Sequence, residues 1–315
     1  MKRIVLLAGL MAFAAGVFAQ YPNKPIRFVN PFPAGSSTDT IVRMITEPLA
    51  RELGQAVVID NKPGADAMIA GAEVFRAAPD GYTLLITTGS QAAVPYLRKN
   101  PPYDPIKDFT PIADIGRYTL FLFVSPQLPV KTLQELIAYA KANPDQLNYG
   151  TSSVSNIVAT TQMLSLADIK MTAVPYKSAP QVMLDLVAGR VQVFWDPPTT
   201  GLPFVKDGRV RVLATAHSVR SSLLPEVPTM SEAGMPKFRG PAWMGLAGPA
   251  NMPREIVDRL NKDMVTVMKR PEVIAAAGKQ AFVLNPSTPA EFGEFIKEQV
   301  EIHGRLLRAA GVPQQ

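Results

Sequence analysis

The stretch IRFVNPFPAGSSTDTIVRMITEPLARELG, residues 26–54, contains both kinds of element from which the chain is built. Its first seven residues are rich in β-branched and aromatic side chains and predict a strand. In the second half an apolar residue recurs at every fourth position, which predicts the buried face of a helix. These apolar residues are Ile41, Ile45, Leu49 and Leu53. The stretch therefore predicts a strand that passes through a Pro/Gly turn into a helix.

The same alternation of strand and helix continues along most of the chain. Further strand-type runs lie at 56–60, 82–87, 118–124, 148–152, 171–176, 191–196 and 210–216. Helical patterns lie at 66–78, 132–143, 154–167, 179–188 and 202–207, and two long ones lie at 253–278 and 289–310. A rhythm of this kind predicts an α/β fold with largely parallel sheets.

Residues 1–19 have the three parts of a secretory signal peptide. The basic pair Lys2 and Arg3 precedes an apolar run over 4–18, and Ala19 offers a small residue at the cleavage position. The run is shorter than the about 20 residues that a membrane-spanning helix needs. We therefore expect cleavage after Ala19 and a periplasmic location. The remaining 296 residues are enough for two domains.

The composition excludes several classes of site. The chain has no Cys, which excludes disulfides, thiolate metal sites and a Cys nucleophile. Its net charge of +6 is spread without a basic run, so no nucleic-acid partner is expected. Of its two His, His303 is expected at the surface, and His217 is expected to have a capping or surface role. Metal-ligand spacing and cofactor motifs are missing from the sequence, so we expect no metal and no cofactor.

The turn between the first strand and the first helix has no large side chain over five consecutive residues. It consists of small or hydroxylic residues: Ala34, Gly35, Ser36, Ser37 and Thr38. The first backbone N–H groups of a helix have no intrahelical acceptor, and the helix dipole adds positive potential there. Small side chains let an anion approach these groups, while one of the hydroxyls or Asp39 can cap the helix. Ordinary capping and the binding of a carboxylate or phosphate both remain open at this point.

Three further strand-to-helix junctions offer the same chemistry. They provide Thr88, Gly89, Ser90 and Gln91; Thr151, Ser152 and Ser153; and Tyr176, Lys177 and Ser178. In open α/β sheets ligands bind beyond the carboxyl ends of the strands, where such loops gather. Two of the four junctions lie in the first part of the chain and two in the middle, which favours a ligand held between two walls.

Two classes of function are compatible with these residues. The first is a protein that binds a small anion without transforming it, for a membrane transporter or a membrane sensor. The second is a secreted hydrolase with a Ser nucleophile in one of the loops, although no general base is placed by spacing. Trp195 and Trp243 leave the ligand open, because either one is compatible with core packing and with a cleft wall for a flat acid.

Several motifs, in chain order, are similar to those of one known family. They are FPAGSSTDTIVR, VVIDNKPGADAMIAG, APDGYTLLITTGS, NPPYDPIKDFTPIADIG, LNYGTSSVSN, VPYKSAPQVMLDLVAGRVQ and LPEVPTMSEAGMP. The chain resembles the substrate-binding proteins of tripartite tricarboxylate transporters, the Bug proteins, over essentially all of its length after the signal. It departs from the family pattern at Gly35-Ser36, where a Gly pair is usual, and at Gln91, where a His is frequent.

The resemblance implies a periplasmic-binding-protein fold of type II, with two α/β domains and a ligand cleft between them. The first domain is expected to comprise 20–120 and 226–315, and the second 121–225. The domains are expected to close on a small organic carboxylate, a di- or tricarboxylate or an aromatic acid, for the membrane components of a tripartite tricarboxylate-type transporter. A monomer without cofactor or metal is expected.

The resemblance also assigns the walls of the cleft. The first wall is expected to comprise Phe32, Ala34, Gly35, Ser36, Ser37, Asp39, Thr88, Ser90 and Gln91. The second is expected to comprise Thr151, Ser152, Ser153, Tyr176, Lys177 and Asp196. Backbone amides, hydroxyls and bridging waters, rather than an Arg, are expected to hold the carboxylate.

Overall fold

The first strand and helix lie where the opening stretch predicts them, in a computed structural model that describes residues 21–314. Strand β1 spans Ile26–Asn30 and helix α1 spans Ser37–Leu53. The apolar residues at every fourth position, from Ile41 to Leu49, are at most 1% exposed, so this spacing does mark the buried face of α1. Helix α1 ends at Gly54, whose φ of 66° is the left-handed conformation common at helix C-termini.

Most of the other elements follow the alternation that the sequence predicts, but the strands at 109–118, 243–249 and 282–284 were not predicted. The strands are β2 (Val57–Asn61), β3 (Thr83–Thr88), β4 (Phe109–Tyr118), β5 (Phe121–Val124), β6 (Asn148–Thr151), β7 (Thr172–Pro175), β8 (Val193–Asp196), β9 (Arg211–Thr215), β10 (Trp243–Pro249) and β11 (Phe282–Leu284). The helices are α2 (Met68–Phe75), α3 (Gly89–Leu97), α4 (Leu133–Ala142), α5 (Val154–Ala167), α6 (Ala179–Val187), α7 (Pro198–Lys206), α8 (Arg254–Met268), α9 (Pro271–Lys279) and α10 (Pro289–Ala309). The helical pattern at 253–278 is therefore two helices, because Pro271 cannot continue α8 and instead begins α9.

Within residues 21–314 the strands form two sheets, each with helices on both faces. The first has the order β11-β4-β10-β3-β1-β2. Phe28 of β1 packs into the core beneath α1, α8 and α9. Its neighbour Val29 packs into the core beneath α2 and α3. We call this sheet and its helices the first lobe.

The second sheet has the order β7-β6-β8-β5-β9 and is built in the same way. Leu122 and Val124 of β5 pack beneath α4 and α5. The alternate residues Phe121 and Phe123 pack on the opposite face, beneath α6. We call this sheet and its helices the second lobe.

The prediction of largely parallel sheets is wrong, because both sheets are mixed. Parallel pairing joins β1 to β2 and β3, and β6 to β7 and β8. Strand β10 runs antiparallel to β3 and β4, and β5 runs antiparallel to β8 and β9. Parallel neighbours need a crossover connection of a dozen or more residues, usually a helix. Strands β4, β5 and β10 flank the places where the chain passes directly from one lobe to the other, without such a helix.

Between residues 21 and 314 the chain crosses from one lobe to the other twice. The first crossing lies between Tyr118 at the end of β4 and Phe121 at the start of β5. After β9, residues of the segment leading to β10 still pack in the core of the second lobe, as far as Phe238. We therefore propose that the second crossing follows Phe238, later than the boundary at residue 226 expected from the resemblance.

The signal peptide expected at 1–19 lies outside the described residues. Within residues 21–314 no helix combines the length and the apolar character needed to cross a bilayer.

Candidate functional site

A cavity of about 220 Å³ lies between the two lobes, at the carboxyl ends of strands from both sheets. Its lining comprises Phe32, Ser37, Thr38, Thr88, Gly89, Ser90, Tyr118, Leu120, Ser153, Val154, Ser155, Asn156, Pro197, Pro241, Ala242 and Trp243. Helices α1 and α3 of the first lobe begin at this cavity, and so do α5 and α7 of the second. We call it the cleft cavity.

The lining of the cleft cavity has the chemistry to receive an anion although it has no formal charge of its own. Every described residue in its lining is uncharged. Helix N-termini present unpaired N–H groups and positive potential, and here they face the same space from both lobes. A larger cavity of about 790 Å³ is lined by segment 105–111 and the first turns of α10, all from the first lobe. The cleft cavity is therefore the better candidate for a ligand that both lobes contact.

The turn before α1 is held together by hydrogen bonds within itself. Ser36 is the N-cap, and its Oγ accepts from the N–H of Asp39 at 3.2 Å. The Asp39 carboxylate accepts from the Gly35 N–H and from Arg43 Nε, both at 2.8 Å, and from Asn61 Nδ2 at 2.9 Å. Burial alone would raise the pKa of Asp39, but these donors outweigh it and lower the pKa to about 2. Asp39 is thus ionised at neutral pH and supports the turn.

The start of α3 has a capping box. The side-chain oxygen of Gln91 accepts from the Thr88 N–H at 2.7 Å, and Thr88 in turn caps the helix. Gln91 is buried behind the helix terminus, while Thr88, Gly89 and Ser90 line the cleft cavity. The substitution of Gln for the family's frequent His therefore lies behind the cavity wall.

On the second lobe, Asn156 organises the loop before α5. Its Oδ1 accepts from the Ser152 N–H at 3.1 Å, from the Ser152 hydroxyl at 3.0 Å and from the Ser153 hydroxyl at 2.8 Å. Its Nδ2 donates to the carbonyl oxygen of Trp195 at the end of β8. One side chain thereby fixes the Ser-rich loop against the neighbouring strand while lining the cleft cavity.

Asp196 is the last residue of β8 and is 4% exposed. Burial raises the pKa of its carboxyl to about 7, against the opposing effect of hydrogen bonds with Thr200 and Asn156. Among the described residues, no donor reaches Asp196 Oδ2. The carboxyl lies beside Pro197, which lines the cleft cavity, but Asp196 is not itself in the lining.

The structure brings together part of the predicted site. Phe32, Ser37, Thr88, Ser90 and Ser153 line the cleft cavity. Other predicted residues belong to the same loops without lining it: Ala34, Gly35, Ser36, Asp39, Gln91, Thr151 and Ser152. Tyr176 and Lys177 lie outside the lining, and the Tyr176 hydroxyl donates to Asp185 at 2.8 Å. The role of all fifteen residues as ligand contacts stays a prediction.

Several lining residues were not predicted. Tyr118 and Trp243 come from the strands next to the crossings, and Pro241 and Ala242 from the second crossing itself. Asn156 could have been found from the sequence, because it follows Ser153 at the position whose N–H an N-cap hydroxyl binds. Tyr118 and Trp243 carry no local signal, since only the pairing of β4 with β10 brings them to the cavity.

The two Trp residues have different environments. Trp195 is fully buried in the second lobe and stacks on Phe238 with ring centroids 5.3 Å apart, so it is a core residue. Trp243 is 2% exposed and lines the cleft cavity. Its ring makes edge-on contacts with Phe292 and Phe295 of α10, with ring centroids 6.0 and 5.3 Å away.

The expected surface position of His303 is wrong. His303 is 1% exposed, because it lies on the face of α10 that packs against α3. His217 is half-buried, and its Nδ1 accepts from the Val219 N–H at 3.2 Å. Burial, with the charge of Arg117, lowers the pKa of His217 to about 4. In the described part of the chain no group of three His, Asp or Glu is arranged to hold a metal ion.

Comparison with known proteins adds to this geometry. Residues 41–312 match the family described as "Tripartite tricarboxylate transporter family receptor". The chain is similar to the periplasmic binding protein BugD, with 29% identity and a TM-score of 0.72 over 94% of this chain and 100% of BugD.

Two similar solved structures contain dicarboxylates. Rpa4515 of R. palustris, with adipate, is 30% identical and has a TM-score of 0.76 over 94% of this chain and 100% of its own. MatC (Rpa3494) from Rhodopseudomonas palustris, with bound malate, is 29% identical and has a TM-score of 0.71 over 91% of this chain and 100% of its own.

Proposed function

The chain belongs to the tripartite tricarboxylate transporter receptor family, and from this membership we propose that it captures a small organic carboxylate by closure of its lobes. Members of the family are periplasmic solute-binding proteins and not enzymes. The interpretation as a secreted hydrolase is therefore set aside. The released ligand would pass to the membrane components of a tripartite tricarboxylate-type transporter, and the protein would act in the periplasm as a monomer.

The observation that supports this proposal is the convergence of helix N-termini from both lobes on one uncharged cavity. A carboxylate gains hydrogen bonds from unpaired backbone N–H groups and from hydroxyls such as Ser37 and Ser90. A ligand with two carboxylates can bind α1 and α3 with one end and α5 and α7 with the other. Only the closed arrangement of lobes makes both sets of bonds, so binding favours closure.

The ligand class we favour is a small dicarboxylate. The relatives solved with adipate and with malate both hold acids of this class. A cavity of about 220 Å³ has room for such an acid. Tricarboxylates and aromatic acids are the alternatives within the same chemistry.

Thermal unfolding and calorimetry with malate, succinate and adipate test the proposal. A ligand at about 100 times its Kd stabilises the folded state by about 2.7 kcal/mol. We expect at least one of the acids to raise the Tm and to be recovered unchanged. The matched control is the diamide of the same acid, which has the same carbon skeleton and no negative charge. Absence of binding by all three acids would contradict the dicarboxylate class, and equal binding of acid and diamide would contradict the capture of a carboxylate.

Delivery to a transporter requires a separate experiment. We expect uptake of the bound acid into vesicles that contain the transporter membrane components only when this protein is added. Uptake that does not depend on the added protein would contradict delivery to the transporter. It would not contradict the proposal that the protein captures the acid.

A further inference from the structure

Behind the wall of the cleft cavity, a buried donor and a buried acceptor face the same point near Gly89. A methyl group built on Gly89 would lie 2.8 Å from the Pro241 carbonyl oxygen, 3.2 Å from His303 Nε2 and 3.5 Å from Trp243 Nε1. These groups come from the second crossing, from α10 and from the start of β10. A contact of 2.8 Å is closer than a real Cβ atom makes, so glycine at this position lets the second crossing pack against the start of α3. The two nitrogens lie at most 6.7 Å apart, within reach of one bridging group.

Neither nitrogen has a hydrogen-bond partner among the described residues. Trp243 Nε1 and His303 Nε2 are both buried and unpartnered, and their residues are 2% and 1% exposed. Leaving a buried polar group without a partner destabilises the folded state. Two such groups beside one glycine therefore indicate a bound group that satisfies both.

The chemistry of the two nitrogens differs in a way that defines this group. His303 Nδ1 lies 2.8 Å from the Gln299 carbonyl oxygen, which can only accept, so Nδ1 carries the ring proton. Burial, against the effect of that hydrogen bond, lowers the pKa of His303 to about 4, and the ring is neutral at pH 7. Nε2 is then an acceptor, as the Pro241 carbonyl is, whereas the Trp243 N–H is a donor.

This combination does not suit a carboxylate. An ionised carboxylate only accepts, so it would bond to the Trp243 N–H and be repelled by the two acceptors. An O–H group both accepts and donates, so it can accept from the Trp243 N–H and donate to His303 Nε2 or to the Pro241 carbonyl, and a water molecule can donate to both. We propose that Trp243, His303 and the Pro241 carbonyl form a binding site for one O–H group behind Gly89.

Two sources can supply the O–H group, and the first rests on the proposed function. It is the hydroxyl of a bound hydroxycarboxylate, which would enter past Gly89 from the cleft cavity, whose lining includes Trp243. The second source is a water molecule, which would accept from Trp243 and donate one hydrogen each to His303 and Pro241. Buried waters typically make about three hydrogen bonds of this kind. In the protein without ligand, both sources place water at the site.

The test begins with the ¹⁵N-labelled protein without ligand. Its two Trp residues give two indole N–H signals, and the signal missing from Trp243→Phe belongs to Trp243. We expect magnetisation transfer between this N–H and a bound water, and a loss of that transfer in His303→Phe. A Trp243 N–H without any water contact would overturn the site. Should Trp243→Phe fail to fold, the signal that remains in Trp195→Phe provides the same assignment.

Calorimetry with malate and succinate, which differ by one hydroxyl, then distinguishes the two sources. For a ligand hydroxyl we expect malate to bind up to about tenfold more tightly than succinate. That preference should vanish in Trp243→Phe and persist in Trp195→Phe, whose ring lies in the second lobe's core. For a water molecule, malate and succinate bind equally and the water contact persists with either acid bound. If neither acid nor adipate binds, the proposed function fails while the water contact without ligand still decides the site.

Discussion

At the scale of single residues, Asn156 is the side chain on which the second wall of the cleft cavity most depends. Its Oδ1 receives three hydrogen bonds from Ser152 and Ser153, and its Nδ2 anchors them to Trp195 of β8. Ala at this position leaves the hydroxyls and the Ser152 N–H to find other partners. The orientation of the loop at 152–153 therefore depends on the side-chain amide of Asn156.

We expect Asn156→Ala to weaken malate binding at least about tenfold and to lower the free energy of unfolding by about 1–3 kcal/mol. Calorimetry and urea denaturation measure the two effects. The matched control is Asn261→Ala in α8, which removes two hydrogen bonds to the Ile112 and Ser287 carbonyls away from the cavity. This control should lose stability and keep its affinity. Equal affinities in Asn156→Ala and the wild type would remove this loop from the site.

Asp196 predicts a pH dependence of stability. Its folded-state pKa of about 7 lies above the ordinary value of 3.8, so the unfolded chain loses this proton first as pH rises. The contribution of the protonated carboxyl is complete below about pH 4 and is lost between about pH 4 and 7. We expect Asp196→Asn to be more stable than the wild type at pH 8 and close to it at pH 4, as measured by urea denaturation.

The effect of Asp196 must be read from the difference in unfolding free energy between Asp196→Asn and the wild type, because other groups titrate in an overlapping pH range. His217 and His303, with folded pKa values lowered to about 4, contribute stability that is lost as pH falls from about 6.5 to 4. The plot of wild-type unfolding free energy against pH therefore combines opposite slopes from Asp196 and the two His. The His contributions are the same in Asp196→Asn, so they cancel when the two proteins are compared. Asp39→Asn is the control of opposite sign, because the stability from Asp39 is lost only as pH falls from about 4 to 2. A pH-independent difference for Asp196→Asn would contradict a raised pKa.

At the scale of elements, the N-terminus of α5 combines a structural and a binding role. Ser153 is the N-cap of α5 and accepts from the Asn156 N–H at 3.3 Å. Thr132 has the same capping role in α4, where it accepts from the Glu135 N–H at 3.1 Å. Of these two helices, only α5 begins at the cleft cavity. Comparing substitutions of the two N-cap residues therefore distinguishes an effect on capping from an effect on binding.

We expect Ser153→Ala and Thr132→Ala each to lower the free energy of unfolding by about 1 kcal/mol, the usual effect of a lost N-cap. Only Ser153→Ala should also weaken malate binding, because its hydroxyl lines the cleft cavity. Urea denaturation and calorimetry measure these changes. A Ser153→Ala protein that loses stability and keeps its full affinity would show that this hydroxyl only caps the helix.

At the scale of the whole molecule, the donors around the cavity are neutral although the chain has a net charge of +6. Charges farther than a Debye length, about 8 Å at physiological ionic strength, are largely screened. We therefore expect malate affinity to fall by less than about threefold between 0.1 and 0.5 M NaCl. Calorimetry at the two salt concentrations measures this.

A steep salt dependence would indicate that a cation reaches the ligand when the lobes close. Lys177 is the candidate, because it is exposed on the second lobe after β7. Lys177→Gln would then remove the salt dependence. In the structure its backbone neighbour Tyr176 continues the pairing with β6, its N–H donating to the Thr151 carbonyl at 2.8 Å.

Much of the local structure could be predicted from the sequence. The spacing of Ile41, Ile45 and Leu49 identified a buried helix face, and the hydroxyls at three of the four junctions identified helix starts that line one cavity. The fourth junction, at 176–178, lies outside that lining. His303 could not be placed, because a polar helix pattern does not reveal which single polar residue lies beneath a neighbouring helix. The mixed direction of the strands was also missed, because an alternating pattern is equally compatible with direct crossings between lobes.

The sequence by itself determined the α/β class and the small and hydroxylic residues at the strand-to-helix turns, because hydrophobic period and turn residues act over a few neighbouring positions. Only the tertiary structure decided which residues line the cavity. Trp243 and Asn156 are far apart in the chain, and Trp243 meets His303 only because β10 and α10 pack in the same lobe. Such contacts depend on strand pairing and helix packing across the whole chain, and no short segment specifies them.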